Sequence, residues 1–415
     1  MHFAVVVSLG HYSRPVTWEN GVIAESLNNG TGFSFPHGNT PQPSSWQSPG
    51  YPTVLWLIWR GLGQTSAAYL IMGLLQAVII SSMIFPVGWL TNRWFGNQAA
   101  IAARWITCLM PLYAWYATRY QQTAIAIAIH PWVLAAWLKT YDTAKLRYGL
   151  GAGIATGIGG LFQPILLPFF GLVSVVAGIS LWLRKQTRAF LCVVFAGLLT
   201  LLVLTPWTVR NWRVHGRLVP IKTNFAYQLW MGNNPQATGS AFAEGGRIDT
   251  FAASPPASAT LAGKVPEAVY MDSVLADAWG CITADPEVFV IRTIKRIAWF
   301  WTAVPPKYLR SYDEAEALRF WWLHTGYWLS FVTLAVIARL TSGKFPREYT
   351  AVILLCVLLY SLTYGVTIVG NARFRGEIEY LLIPATSAGL VWCITRWKHL
   401  AASRRSKSGA MPRQD

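Results

Sequence analysis

The chain has 415 residues, of which 53% are hydrophobic, 14% aromatic and only 12% charged, with a net charge of +17. Soluble domains carry roughly a quarter charged residues, so an ordinary soluble domain is excluded and an all-α polytopic membrane protein is expected. The basic residues lie in short clusters between apolar runs, a distribution that sets membrane topology and gives no reason to expect a nucleic-acid partner.

The opening "MHFAVVVSLG" is apolar but about half as long as a spanning helix, and it lacks the charged start of a signal peptide. It is expected to be a first spanning helix cut short. Next, "VTWENGVIAESLNNG" predicts a short helix with Thr17 as N-cap and the run Asn28, Asn29, Gly30 as its stop. Glu19, Val22, Ile23, Ser26 and Leu27 share one face of that helix, which turns Glu19 inward and Glu25 outward. A carboxylate held against apolar surface resists ionisation and is suited to taking a proton from a hydroxyl. A Glu in the first turn also complements the helix dipole without any catalytic role, and both readings stay open. The following "GTGFSFPHGNTPQPSSWQSPGYPT" reads as an ordered loop whose Trp46 and Tyr51 would stack on a sugar or sit at the lipid interface.

Nine apolar runs then predict transmembrane helices over 67–90, 98–117, 121–138, 148–162, 165–183, 189–207, 320–337, 350–368 and 380–395. Placing the loop before residue 67 outside puts Arg93, Lys139, Lys145, Arg147, Arg184, Lys185, Arg188, Arg339, Lys344, Arg347 and the basic tail inside. The domain division expected is therefore 1–66 (cut first helix and first outer loop), 67–207 (membrane helices), 208–319 (second outer loop), 320–395 (membrane helices) and 396–415 (cytoplasmic tail). Of the 17 acidic residues, Asp142, Glu348 and Asp415 fall inside and the other fourteen outside, with none in a predicted span. Carboxylate chemistry is thus expected at the outer face, where no nucleotide pool exists and an activated donor must be anchored in the membrane.

The second outer loop begins "TPWTVRNWRVHGRLVPIK", leaving the membrane at Pro206 and Trp207 and presenting Arg210, Arg213 and Arg217, with Lys222 beyond. Positive charge on the outer side suits an anionic ligand such as a lipid-linked phosphate, or ordinary anionic headgroups. In "PEVFVIRTIKRIAWFW", Arg292, Lys295 and Arg296 share one helical face while Val290, Ile294 and Ile297 share another, the pattern of a helix lying in the membrane surface. His130 reads as a packed residue rather than a ligand, the cysteines follow no disulfide or zinc spacing, and neither a metal nor a cofactor is expected.

The order of "WENGVIAESLNNGTGF", "SPGYPTVLWLIWRGLG", "TPWTVRNWRVHGRLVPIKTNFAYQLWMGNNP", "ADPEVFVIRTIKRIAWFW" and "RFRGEIEYLLIP" resembles bacterial membrane glycosyltransferases of the GT-C superfamily, family 39 type, related to dolichyl-phosphate-mannose protein mannosyltransferases. The resemblance implies a bundle of nine or ten transmembrane helices in the bacterial inner membrane. It implies transfer of a sugar from a polyprenyl-phosphate donor to a lipid, glycan or protein hydroxyl at the outer face. Glu19 matches the family's acidic residue in the first outer loop, where relatives have Asp, often before Glu, and this chain has Trp18 before Glu19. Arg210, Arg213, Arg296, Arg373 and Arg375 are then candidates to bind the departing phosphate. Arg373 and Arg375 stand beside Glu377 and Glu379, acids that could simply pair with them. The rival readings are a lipid-linked glycan transporter and a catalytically degenerate membrane partner.

Overall fold

The computed structural model describes residues 1–36, 41–242, 249–305, 314–343, 345–367 and 372–408. Its helices are α1 (His2–Leu9), α2 (Trp18–Asn28), α3 (Gly50–Leu62), α4 (Ser66–Ser81), α5 (Ile84–Phe95), α6 (Asn97–Leu109), α7 (Pro111–Ala117), α8 (Thr123–Thr143), α9 (Leu146–Phe162) and α10 (Leu166–Leu183). They continue with α11 (Thr187–His215), α12 (Phe225–Asn233), α13 (Thr250–Ala253), α14 (Glu267–Ala284), α15 (Pro286–Thr302), α16 (Glu314–Ser342), α17 (Arg347–Val366), α18 (Ala372–Arg375) and α19 (Ile383–Ser408). One small hairpin, β1 (Ser34–Pro36) with β2 (Pro41–Pro43), pairs Phe35 with Gln42 inside the loop read from sequence. Among the described residues five segments are long and apolar enough to cross a membrane: Ser66–Phe95, Thr123–Thr143, Leu166–Leu183, Thr187–His215 and Arg347–Val366. The chain is an all-α polytopic membrane protein.

The predicted span 67–90 is two helices, α4 and α5, separated at Ser82 and Met83, and two further spans differ from the structure for reasons of proline chemistry. The run 98–117 is two helices, α6 and α7, because Pro111 lacks an N–H and forces Met110 out of the helical region, to φ −69 and ψ 113. The run 189–207 does not end as a helix at Pro206. There α11 continues through the proline to His215 and stops at Gly216, whose left-handed φ of 67° ends the helix. Arg210 and Arg213 therefore sit on the last turns of a long helix rather than in a loop.

The membrane helices pack through glycine. Gly149, Gly153 and Gly157 are four residues apart and line one face of α9. A Cβ on Gly153 would stand 2.5 Å from the Ala196 carbonyl oxygen, and one on Gly149 2.9 Å from that of Cys192. The missing side chains let α9 and α11 touch backbone to backbone, as small residues do between helices in lipid. The Thr200 hydroxyl donates to the Gly153 carbonyl across this seam at 3.1 Å.

Charges define the two ends of the bundle. At one end Arg93 of α5 donates to Glu348 of α17 at 2.6 and 2.7 Å and to Asp142 of α8 at 2.9 Å, and the Trp94 indole donates to Glu348 at 2.7 Å. This is the end that the sequence reading placed inside, here called the basic end. At the other end lie α2, the hairpin and α12 to α15, which together form the loop face. There α15 has the two faces read from its sequence, but its cationic face turns into the protein while Val290, Ile291 and Ile294 stay 51%, 55% and 63% exposed. The reason is helix capping. Carbonyls at the C-terminal ends of α12 and α17 lack partners of their own, and Arg292 and Arg296 supply them.

Candidate active site

Glu19 stands in the first turn of α2, half-buried. The buried face of α2 carries Asn20, Gly21, Ile23, Ala24 and Ser26, so Glu19 lies at its margin rather than at its centre, and Val22 is 40% exposed. Thr17 is the N-cap by position, yet its side chain accepts no hydrogen bond from the helix. The backbone there is unusual, because Trp18 has a left-handed φ of 53°. Thr17 also leans over the helix, and a Cβ on Gly21 would come 1.9 Å from its hydroxyl oxygen.

Three amide side chains tie this turn to the rest of the site. Asn20 donates to Gln122 at 3.1 Å, and the neighbouring Gln121 accepts from Arg373 at 2.7 Å. Both glutamines come just before α8, so the start of α2 and the segment around α18 are latched to the same point. Lys222, half-buried after α11, feels the charges of Arg373, Glu377 and Glu19 together, and burial pulls its ammonium down to about 8. Glu377 is 1% exposed, and its Oε1 accepts from Gln163 at 2.5 Å. Burial pushes its carboxyl up to about 8 against the pull of Gln163, Arg373 and Lys222. The site thus gathers Glu19, Lys222, Arg373 and Glu377 at the loop face, with α12 beside them: the Tyr227 hydroxyl is raised first by burial and then by the fields of Asp249 and Glu19.

The other residues singled out from the sequence lie in different settings. Arg375 is fully buried, ion-paired with Glu379 at 2.5 Å and bonded to the carbonyls of Trp301 and His324. Arg296 is also fully buried, donating to the carbonyls of Gly232, Gly365 and Val366 and to the Asn233 side chain. Its burial pulls its pKa down to about 9. Arg210 holds the first loop by donating to the carbonyls of Ser44 and Phe33 at 2.5 and 2.7 Å, with Trp207 under its guanidinium. Arg213 is exposed on the last turn of α11.

Neither Trp46 nor Tyr51 lies at a lipid-facing or open surface. Trp46 stacks on Phe35 in a buried cluster with α12 and α14, and Tyr51 is 1% exposed with its hydroxyl on Gln76 at 3.1 Å. Both rings are consumed by packing between the first loop and the helices around it.

Reading the sequence missed the amides Asn20, Gln121, Gln122 and Gln163, and it noted Lys222 only as part of a charge excess. It also missed Glu267, the first residue of α14, which is 2% exposed and accepts from the Ser45 amide at 3.0 Å and from the Thr223 hydroxyl. That carboxylate joins the first loop to the strand of chain carrying Lys222. The one signal for it was a Glu directly after Pro266, the composition of a helix start. No group of three or more His, Cys, Asp or Glu able to hold a metal ion occurs among the described residues.

In shape the chain is similar to the oligosaccharyltransferase of Archaeoglobus fulgidus in its apo form, with a TM-score of 0.50 and 13% identity over 100% of this chain and 53% of that one. The same enzyme tethered to an acceptor peptide containing the NVT sequon gives a TM-score of 0.50 at 13% identity over 100% of this chain and 52% of that one. ArnT from Cupriavidus metallidurans bound to undecaprenyl phosphate is looser, with a TM-score of 0.39 at 14% identity over 94% and 77% of the two chains, and defines nothing further. This chain spans about half the length of the Archaeoglobus enzyme. No family model and no curated protein sequence matches it.

Proposed function

We propose that the chain is a glycosyltransferase that moves a sugar from a polyprenyl-phosphate donor to an acceptor hydroxyl at the outer face of the bacterial inner membrane. The observation that carries this reading is the shared field of Glu19, Lys222 and Arg373 at the loop face of a GT-C fold. It supplies one carboxylate for a proton and two cations for a phosphate, all at the end of the bundle opposite the basic cluster.

In this scheme Glu19 accepts the proton of the acceptor hydroxyl as its oxygen attacks the anomeric carbon from the side opposite the phosphate. The bond from that carbon to the phosphate oxygen breaks, and the configuration inverts. Negative charge grows on the phosphate as it leaves, and Arg373 and Lys222 are held where that charge develops. Arg373 offers a planar fork that matches phosphate, while Lys222 acts as a point charge. Arg213 would meet the lipid-bound part of the donor. Arg210, Arg296, Arg375, Trp46 and Tyr51 frame the site, since their polar groups or rings are committed to protein partners.

The test is to incubate the full chain in lipid with sugar-labelled polyprenyl phosphates and membrane acceptors, and to determine the anomeric configuration of the product. Label in the acceptor with inverted configuration is the expected result. Carriage of the intact labelled lipid across vesicles with no transfer would instead favour the transporter reading.

A further inference from the structure

The stretch 373–379 repeats one pattern: an Arg with a Glu four residues later, at Arg373 and Glu377 and again at Arg375 and Glu379. The second pair is closed. Its ion pair is 2.5 Å long, both side chains are buried, and the Tyr327 hydroxyl donates to the same carboxylate at 2.5 and 2.6 Å. The first pair is open. Arg373 reaches Gln121, Glu377 Oε1 takes the amide of Gln163, and no ion pair joins Glu377 to a cation among the described residues. Glu377 Oε2 is buried without a hydrogen bond of good geometry, and the Tyr360 hydroxyl, likewise buried and unbonded, acts on the same carboxylate. Buried polar groups left unbonded are rare in folded proteins, and a functional role is one of the few explanations for them.

We infer that Glu377 is the neutral arm of the donor-phosphate site, a protonated carboxyl that hydrogen-bonds a phosphate oxygen while Arg373 and Lys222 provide the charge. This deepens the donor assignment proposed above and rests on it. As a carboxylate, Glu377 would repel the phosphate and draw the two cations onto itself. As an acid it leaves their charge to the ligand and adds a donor of its own. Its burial suits the acid form. Gln163 faces it from α9 and Tyr360, Tyr364 and Cys356 from α17; Gln163, Tyr360, Arg373 and Lys222 favour the charged form, and burial opposes them. Burial outweighs both cations and holds the carboxyl near 8.

The experiment measures binding of undecaprenyl phosphate to the full chain in detergent at pH 7 and pH 9. It uses a Lys222→Arg background, which removes the titration of the lysine. Affinity is expected to fall about tenfold between the two values, as Glu377 passes from about nine-tenths to about one-tenth protonated. Glu377→Gln, which keeps a donor but cannot ionise, is expected to remove most of that fall. Glu377→Leu, which has no donor, is expected to weaken binding several-fold at pH 7, with monodisperse elution as the check on folding. An equal fall with pH in Glu377→Gln and its parent would overturn the inference, because the response would then belong to the ligand or to other groups. Absence of binding in the parent would overturn it as well. Binding with this pH response but no sugar transfer would keep the phosphate site and reject the reaction.

Discussion

The two ends of the bundle hold the same kinds of charge in opposite ways. At the basic end Arg93 is shared between Asp142 and Glu348, so each charge is met by another across α5, α8 and α17. At the loop face Glu19, Arg373 and Glu377 all act on Lys222, and the neutral amides of Gln121 and Gln163 bond Arg373 and Glu377. A closed network joins helices, and its charges are spent. Arg373 and Glu377 each bond a neutral amide rather than each other, at the cost of burying groups that would be more stable in water.

The largest effect expected is on the closed pair of the loop face. Arg375→Met leaves Glu379 buried without its ion partner, and should cost about 3–5 kcal/mol, seen as a lower thermal midpoint or loss of the monodisperse fraction. Adding Glu379→Gln should recover part of it. Arg373→Gln should spare stability and lower kcat/KM for the donor about 10- to 100-fold, the loss of one charge that stabilises the leaving group. An equal loss of stability in the two Arg variants would erase the distinction between closed and open pairs. The smallest effect is a packing control far from both clusters. Gly153→Ala puts a methyl group 2.5 Å from a backbone oxygen of α11 and should cost about 1–3 kcal/mol. Gly151, with nothing within 4 Å, should accept Ala within about 0.5 kcal/mol. Equal thermal midpoints for these two variants would remove the backbone seam between α9 and α11.

Much of the helical layout was legible because it rests on local chemistry. Apolar runs gave α8, α10 and α17 to within a few residues, and Trp18–Asn28 was visible from its ends. The break at Met110 was legible in principle, since Pro111 acts only on its neighbours. The continuation of α11 through Pro206 was not, because helical packing overrode the local signal of the proline. The glycine seam was written in the spacing of Gly149, Gly153 and Gly157, while its partner on α11 needs the fold.

The candidate site was legible only where a residue type carries its own chemistry. Glu19 stood out as a scarce acid on the apolar face of a short helix, and Arg373 as a cation that approaches a predicted span beside Glu377. Sequence spacing could not separate Arg373 from Arg375, which have identical Glu neighbours. What separates them is Gln121 and Gln163, more than 200 residues away. Arg296 looked like a phosphate ligand for the same reason that it caps two helix ends, since a carbonyl cluster and a phosphate both attract guanidinium.

The most direct test of the whole account is sugar transfer by Glu19→Gln, measured in one preparation alongside binding of undecaprenyl phosphate. Transfer is expected to fall by about two orders of magnitude or more while the phosphate lipid still binds, because only the proton acceptor has been removed. Transfer at the parent rate in Glu19→Gln would contradict it, and would leave Glu19 as a residue that merely complements the dipole of α2.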